Sequence, residues 1–245
     1  MKTVLGIAVC AALLAAADDT LSRMSDSRLT VAQRNDACYA LRGAKSPETA
    51  LAMRRALNDP KVRACAGENL RVAGAADALE NALGDEDPEV RAIAARELGT
   101  LQKPEMLPAL AKMARDPQLP VASNALEALE SYREPLAREY LLELAAGGGL
   151  VGQMALDRLA QLGDTGAVTI ARRMLASKDI GNMLAGMRVL GKLGDDSDLS
   201  ALKTIAVEDT EQISSKGRGF GFMPAISLSR AAKTAIAEIQ LRASR

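Results

Sequence analysis

Residues 87–117 read DPEVRAIAARELGTLQKPEMLPALAKMARDP, an Asp-Pro pair at each end of two apolar-periodic segments. In the first segment Val90, Ala94, Leu98 and Leu101 stand at offsets 0, 4, 8 and 11, which is one face of an α-helix. The break QKPE then introduces a second segment over about 104–115. Asp suits an N-cap and Pro the first helical position, so the stretch predicts a helix, a tight turn and a second helix.

The same register recurs in both directions. Val62, Ala66, Leu70 and Ala73 repeat it upstream, and Val121, Ala125, Leu129 and Tyr132 repeat it downstream, followed by Val151, Ala155, Leu159 and Leu162. Looser copies are Gln33, Ala37, Leu41, Ala44 and Asn182, Gly186, Leu190, Leu193, with Leu228, Ala232, Ile236 and Ile239 the last. The anchors lie 29, 28, 31, 30, 31 and 46 residues apart, a period that marks stacked repeats. Each first helix is followed by a break such as AGAA, GDTG or GDDSD and then by a second periodic segment, over 47–58, 75–84, 104–115, 135–146, 165–177 and 197–208.

Composition agrees with helices throughout: 48% of the residues are hydrophobic, mostly Ala and Leu, 2% are aromatic and 25% charged. The N-terminus, MKTVLGIAVCAALLAAADD, has Lys2, an apolar run from Thr3 to Ala17 and small residues at 15 and 17. It reads as a secretory signal peptide over 1–17, too short to span a bilayer. Val9 is too large for the position before a lipid-modified Cys10. Without the leader the chain holds 30 basic and 31 acidic residues, which argues against a polyanion binder and so against nucleic acid. No later apolar run is long enough for membrane insertion.

The quoted stretch strongly resembles a HEAT repeat, in particular the short, roughly 30-residue repeats of the phycobilin-lyase HEAT-like type, and the resemblance covers about residues 28–242. It includes the Asp-Pro turn with Val-Arg after it, Asp59, Pro60, Val62, Arg63 and Asp87, Pro88, Val90, Arg91. The resemblance implies that such Asp and Arg residues form a hydrogen-bond ladder between units. On spacing alone each Asp precedes its Arg by four, a favourable pair within one helix. Arg34 holds the equivalent place in the first unit, whereas Ala122, Gly152 and Met183 hold it later, so the ladder should stop halfway. The fold expected is all-α, a right-handed α-solenoid forming one domain over 18–245, with an insertion over 210–223 and a capping helix over 224–242.

The chain has no histidine, which removes the commonest general base and metal ligand. No catalytic residue, metal or cofactor is called for. The acidic runs DEDPE and DDSD fall on inter-helix turns, where capping explains them. Gly-rich 145–152 lacks the flanking strand and Lys-Ser/Thr of a phosphate loop and reads as a junction. Cys38 lies five past its anchor and Cys65 three past its own, on flanks that face each other across a unit boundary. They are placed either for a disulfide between the first two units or as two buried thiols.

The 46-residue interval contains TEQISSKGRGFGFM, residues 210–223, which carries the only two phenylalanines of the chain. Lys216, Arg218, Phe220 and Phe222 make an amphipathic patch suited to binding. The alternative is a lid in which the rings fold over the end of the core. The function expected is an exported, periplasmic or secreted, non-enzymatic scaffold that binds a protein or peptide partner along its second helices. Arg54, Arg55, Lys112, Arg138, Arg172 and Arg173 are the exposed candidates there, alternating with Glu48, Glu80, Glu105, Glu139 and Glu143. The alternative is a lyase-like or chaperone subunit acting on a tetrapyrrole or a cell-wall component.

Overall fold

A computed structural model describes residues 19–207, 211–212 and 226–244; the expected leader and most of the insertion lie outside the described residues. The chain divides into two compact units, residues 1–132 and 133–245. Both are stacks of helix pairs, so the fold is an α-solenoid.

In the first unit a helical segment over 19–25 is followed by α1 (Val31–Ala40), α2 (Pro47–Ala56), α3 (Arg63–Ala73), α4 (Ala76–Ala82), α5 (Pro88–Leu101), α6 (Leu107–Met113) and α7 (Leu119–Ser131), with a 3-10 turn, Pro104–Met106, before α6. First helices pack on first helices, α1 on α3, α3 on α5 and α5 on α7, while α2, α4 and α6 pack against α3, α5 and α7. The register read from the sequence is the buried face: Val62, Ala66 and Leu70, then Val90, Ala94 and Leu98, then Val121, Ala125 and Leu129 are all essentially inaccessible. Where α5 meets α7 the backbones come so close that a Cβ on Gly99 would run into the Ala128 Cβ and stand 2.8 Å from its Cα. Small residues permit this spacing, and a larger one would force the two helices apart.

In the second unit α8 (Pro135–Ala146), α9 (Gly149–Gln161), α10 (Gly166–Leu175), α11 (Ile180–Leu193), α12 (Leu199–Val207) and α13 (Leu228–Ala243) repeat the plan. Here α9 packs on α11 and α11 on α13, with α8, α10 and α12 as the second helices. The closing helix α13 is tied down at its own C-terminus, where Arg242 donates to the carbonyls of Gly191 and Gly194 and so caps α11. Glu211–Gln212 pairs antiparallel with Ile226–Ser227. That ladder brings the two ends of the insertion together.

Two local expectations are corrected. Asp59 and Asp116 were expected to cap helices directly, with Pro in first position, but α3 starts at Arg63 and α7 at Leu119. Each carboxylate instead bonds the N–H two residues on, Lys61 and Gln118, closing a turn before the helix begins. Only Asp87 caps as expected, receiving Glu89 N–H with Pro88 starting α5. Leu162, placed on the buried face by the register, is 54% exposed. It sits one residue beyond α9, just before Gly163 turns left-handed at φ 70°, so the helical register no longer governs it. The equivalent turn in the third repeat is made by Gln102 at φ 53°, whose side chain offsets the strain by donating to the Gly99 carbonyl and to Ser131 Oγ.

Candidate functional site

The surface that a repeat scaffold offers is set by how firmly its units are held in register, so the inter-repeat bonds come first. In the first unit Arg34 reaches Asp59, Arg63 reaches Asp87, and Arg91 makes a two-pronged pair with Asp116 at 2.8 and 3.0 Å. Each arginine bonds the aspartate of the following repeat. The four-residue pair suggested by spacing, Asp59 with Arg63 and Asp87 with Arg91, is not the bond made. Each guanidinium also serves a helix end: Arg34 Nε donates to the Met24 carbonyl and Arg63 Nε to that of Leu57. A planar fork can satisfy a carboxylate and a carbonyl together, which lysine could not.

The ladder stops after Arg91, as the sequence indicated, but a second one takes over in the second unit on the other set of turns. Arg138 of α8 pairs with Asp164 before α10, and Arg172 of α10 pairs with Asp198 before α12, at 2.7 Å from Nε. Both pairs span 26 residues. Reading the sequence by its Asp-Pro turns missed this ladder, although a signal is present as an aspartate 26 residues after each arginine, Asp164 in GDTG and Asp198 in GDDSD. Three of the six basic candidates are thereby redirected: Arg138 and Arg172 hold the stack, and Arg173 donates to the Ala146 carbonyl.

These bonds set the acid response. The Arg34 guanidinium, helped by the Lys61 N–H, holds the Asp59 carboxyl below the ordinary carboxylate range. Arg91 does the same for Asp116. For Asp164 burial pushes upward, but the Arg138 and Gly166 donors outweigh it and the net direction is down. A carboxyl with a depressed folded pKa contributes stability above its unfolded value of about 3.8, and that contribution is lost as pH falls through the lower folded value. Urea unfolding midpoints should therefore stay level from neutral pH to about pH 5 and drop steeply below about pH 4. A midpoint that falls between pH 7 and pH 5 would assign the acid sensitivity to other groups.

Cys38 and Cys65 form a disulfide with Cα atoms 6.3 Å apart, joining α1 to α3, so the first of the two arrangements is the one adopted. Both residues are inaccessible, and Asn69 lies against them, donating to the Cys38 carbonyl at 3.0 Å.

The acidic runs act locally. Asp85 receives Asp87 N–H and Asp87 receives Glu89 N–H. Asp195 receives Ser197 N–H while Asp198 receives Asp195 N–H. No cluster among the described residues could hold a metal ion, and no described helix is long and apolar enough to cross a membrane.

What remains outward on the second helices of the first unit is a mixed row: Glu48, Leu51, Arg54 and Arg55 on α2, Glu80 on α4, Glu105 on the 3-10 turn and Lys112 on α6. Arg54, Arg55 and Lys112 make no ion pair with another described residue. Lys216, Arg218, Phe220 and Phe222 lie outside the described residues.

Residues 76–148, from α4 to the start of α9, match the family model for HEAT repeats. No curated protein sequence matches the chain. Among solved structures the chain is similar to human deoxyhypusine hydroxylase in complex with glycerol, at 18% identity and a TM-score of 0.38, over 92% of this chain and 96% of that one. It is also similar to an engineered protein, at 17% identity and 0.38 over 92% and 96%, and to YibA of Escherichia coli, at 16% and 0.39 over 91% and 92%.

Proposed function

We propose that the chain is an exported, non-enzymatic repeat scaffold that binds a protein or peptide along its second helices. The observation that carries this reading is the row on α2, α4 and α6. Side chains of both signs and Leu51 stand outward there, without ion pairs for their basic members, on helices held in register by bonded repeats. A surface already ordered loses little entropy on binding, and mixed charges favour a polypeptide over a polyphosphate. The buried disulfide supports an oxidising compartment, and with it cleavage of the leader after Ala17. N-terminal sequencing of the protein from its native host should accordingly begin at Asp18; a chain retaining Met1 would overturn the export reading.

The insertion contributes the second contact. Its flanks, residues 211–212 and 226–227, pair with one another beside α13. Using the wild-type chain as bait in the extracytoplasmic fraction should recover a co-purifying polypeptide. Against that polypeptide, Phe220→Ala with Phe222→Ala should weaken binding by about 2 kcal/mol with little change in melting temperature. Arg54→Glu with Lys112→Glu should weaken it as well. A sharply lowered melting temperature with intact affinity would identify the phenylalanines as a lid, and unchanged affinity in both variants would refute the scaffold reading.

A further inference from the structure

Arg34 and Arg63 do the same work in successive repeats, each closing the end of the helix before it and reaching the next aspartate. By that equivalence the segment 19–25 occupies the place of a second helix ahead of α2, as α2 does ahead of α4. Between it and α2 lies an open pocket of about 400 Å³ on the second-helix side of the stack. Leu21, Ser22, Met24 and Ser25 line it on the side of the segment and Ala52 and Ala56 on the side of α2, together with Val62. Arg34, Asp59 and Arg55 supply its charged edge.

The charge of that edge does not cancel. Arg34 and Asp59 neutralise one another, and the Asp59 carboxylate is further held by Lys61 N–H. Arg55 is exposed and pairs with no described residue, so one positive charge is left beside the apolar side chains of Leu21, Met24, Ala52 and Ala56. A pocket of this size takes a single aliphatic side chain with a neighbouring group, and a guanidinium recognises a carboxylate better than any neutral acceptor.

We propose that this pocket binds an acidic-aliphatic peptide segment of the partner, with a leucine-sized side chain between Met24 and Ala52 and the adjacent Asp or Glu carboxylate on Arg55. The site rests on the peptide-binding reading above and narrows it to one end of the first unit and one partner chemistry.

The test uses the purified protein with ¹³C-methyl methionine, in which Met24 reports on the pocket and the other methionines report on the fold. Titration with acetyl-Leu-Glu-Leu-amide should move the Met24 signal, and acetyl-Leu-Gln-Leu-amide should bind about tenfold more weakly. Arg55→Gln should bring the Glu peptide down to the level of the Gln peptide and leave the latter unchanged. Ala52→Phe, which fills the pocket, should abolish both while the other methionine signals stay in place. A silent Met24, or equal affinity for the two peptides in the wild type, would overturn the proposal. So would tighter binding of decanoate than of the Glu peptide, which would make this a small-molecule site. A Met24 signal that moves with protein concentration alone would overturn it in favour of a second copy. The two readings fail separately: a silent Met24 with a captured partner still sensitive to Arg54→Glu and Lys112→Glu removes only this pocket. A responsive Met24 with no such partner removes only the scaffold reading.

Discussion

Replacing Cys38 and Cys65 together by alanine should lower the stability of the first unit by about 3.5 kcal/mol. The disulfide closes a loop of 27 residues, and the chain-entropy model assigns that much to a loop of this length. The bond ties α1, the outermost first helix, to α3, and both sulfurs are buried where a reductant reaches them only after the pair has opened. Two results are therefore expected together. In the folded protein the cystine resists mild thiol reductants, and in the double variant amide exchange accelerates in α1 before it does in α5. If the variant melts like the wild type, the α1 interface is sufficient without its covalent link, and the contribution assigned to the bond is wrong.

Arg91→Ala should cost about 3 kcal/mol, far more than an equivalent truncation elsewhere on the surface. Its partner Asp116 has only 6% of its side chain exposed, and Arg91 itself 14%, so removal of the cation leaves a carboxylate in a site that water reaches poorly. Arg91 also donates to the carbonyls of Asp85 and Glu86, which lose their partner at the same time. Arg188 and Asp157 provide the control, since that pair is geometrically sound but 58% and 34% exposed, and Arg188→Ala should cost less than about 1 kcal/mol. Acid gives a second check on the cause. Without Arg91 the Asp116 carboxyl protonates more readily, so the difference between variant and wild type should shrink as pH falls below about 4. Equal losses in the two variants, or a loss independent of pH, would show that Arg91 acts by packing and not by balancing a buried charge.

Much of this molecule was legible as a string. The second helix predicted over 135–146 is the observed Pro135–Ala146, and the Val90, Ala94, Leu98 register is the buried face of α5. Both follow from local rules: apolar residues every three or four positions need one buried face, and Pro, Gly and Asp interrupt a helix wherever they stand. Even the choice of Cys38 and Cys65 was approachable, because equivalent helices of a repeat put known flanks toward each other.

The pairing of charges was decided by the tertiary structure. Within the sequence Arg63 has Asp59 four residues away, yet it binds Asp87, because the stacked repeat brings that carboxylate to the guanidinium while the Leu57 carbonyl takes its Nε. Arg138 and Arg172 looked like free surface cations and proved to be the rungs of a second ladder, since nothing in a local pattern says which turn 26 residues later will fold back beside a helix. Leu162 shows the same limit from the apolar side: its place in the register was right, but the helix ended one residue too early to carry it into the core. Local sequence therefore determined which segments are helices and which faces they bury. Only the stacked structure determined which polar groups hold the repeats together and which remain exposed, because those are distances between residues far apart in the chain.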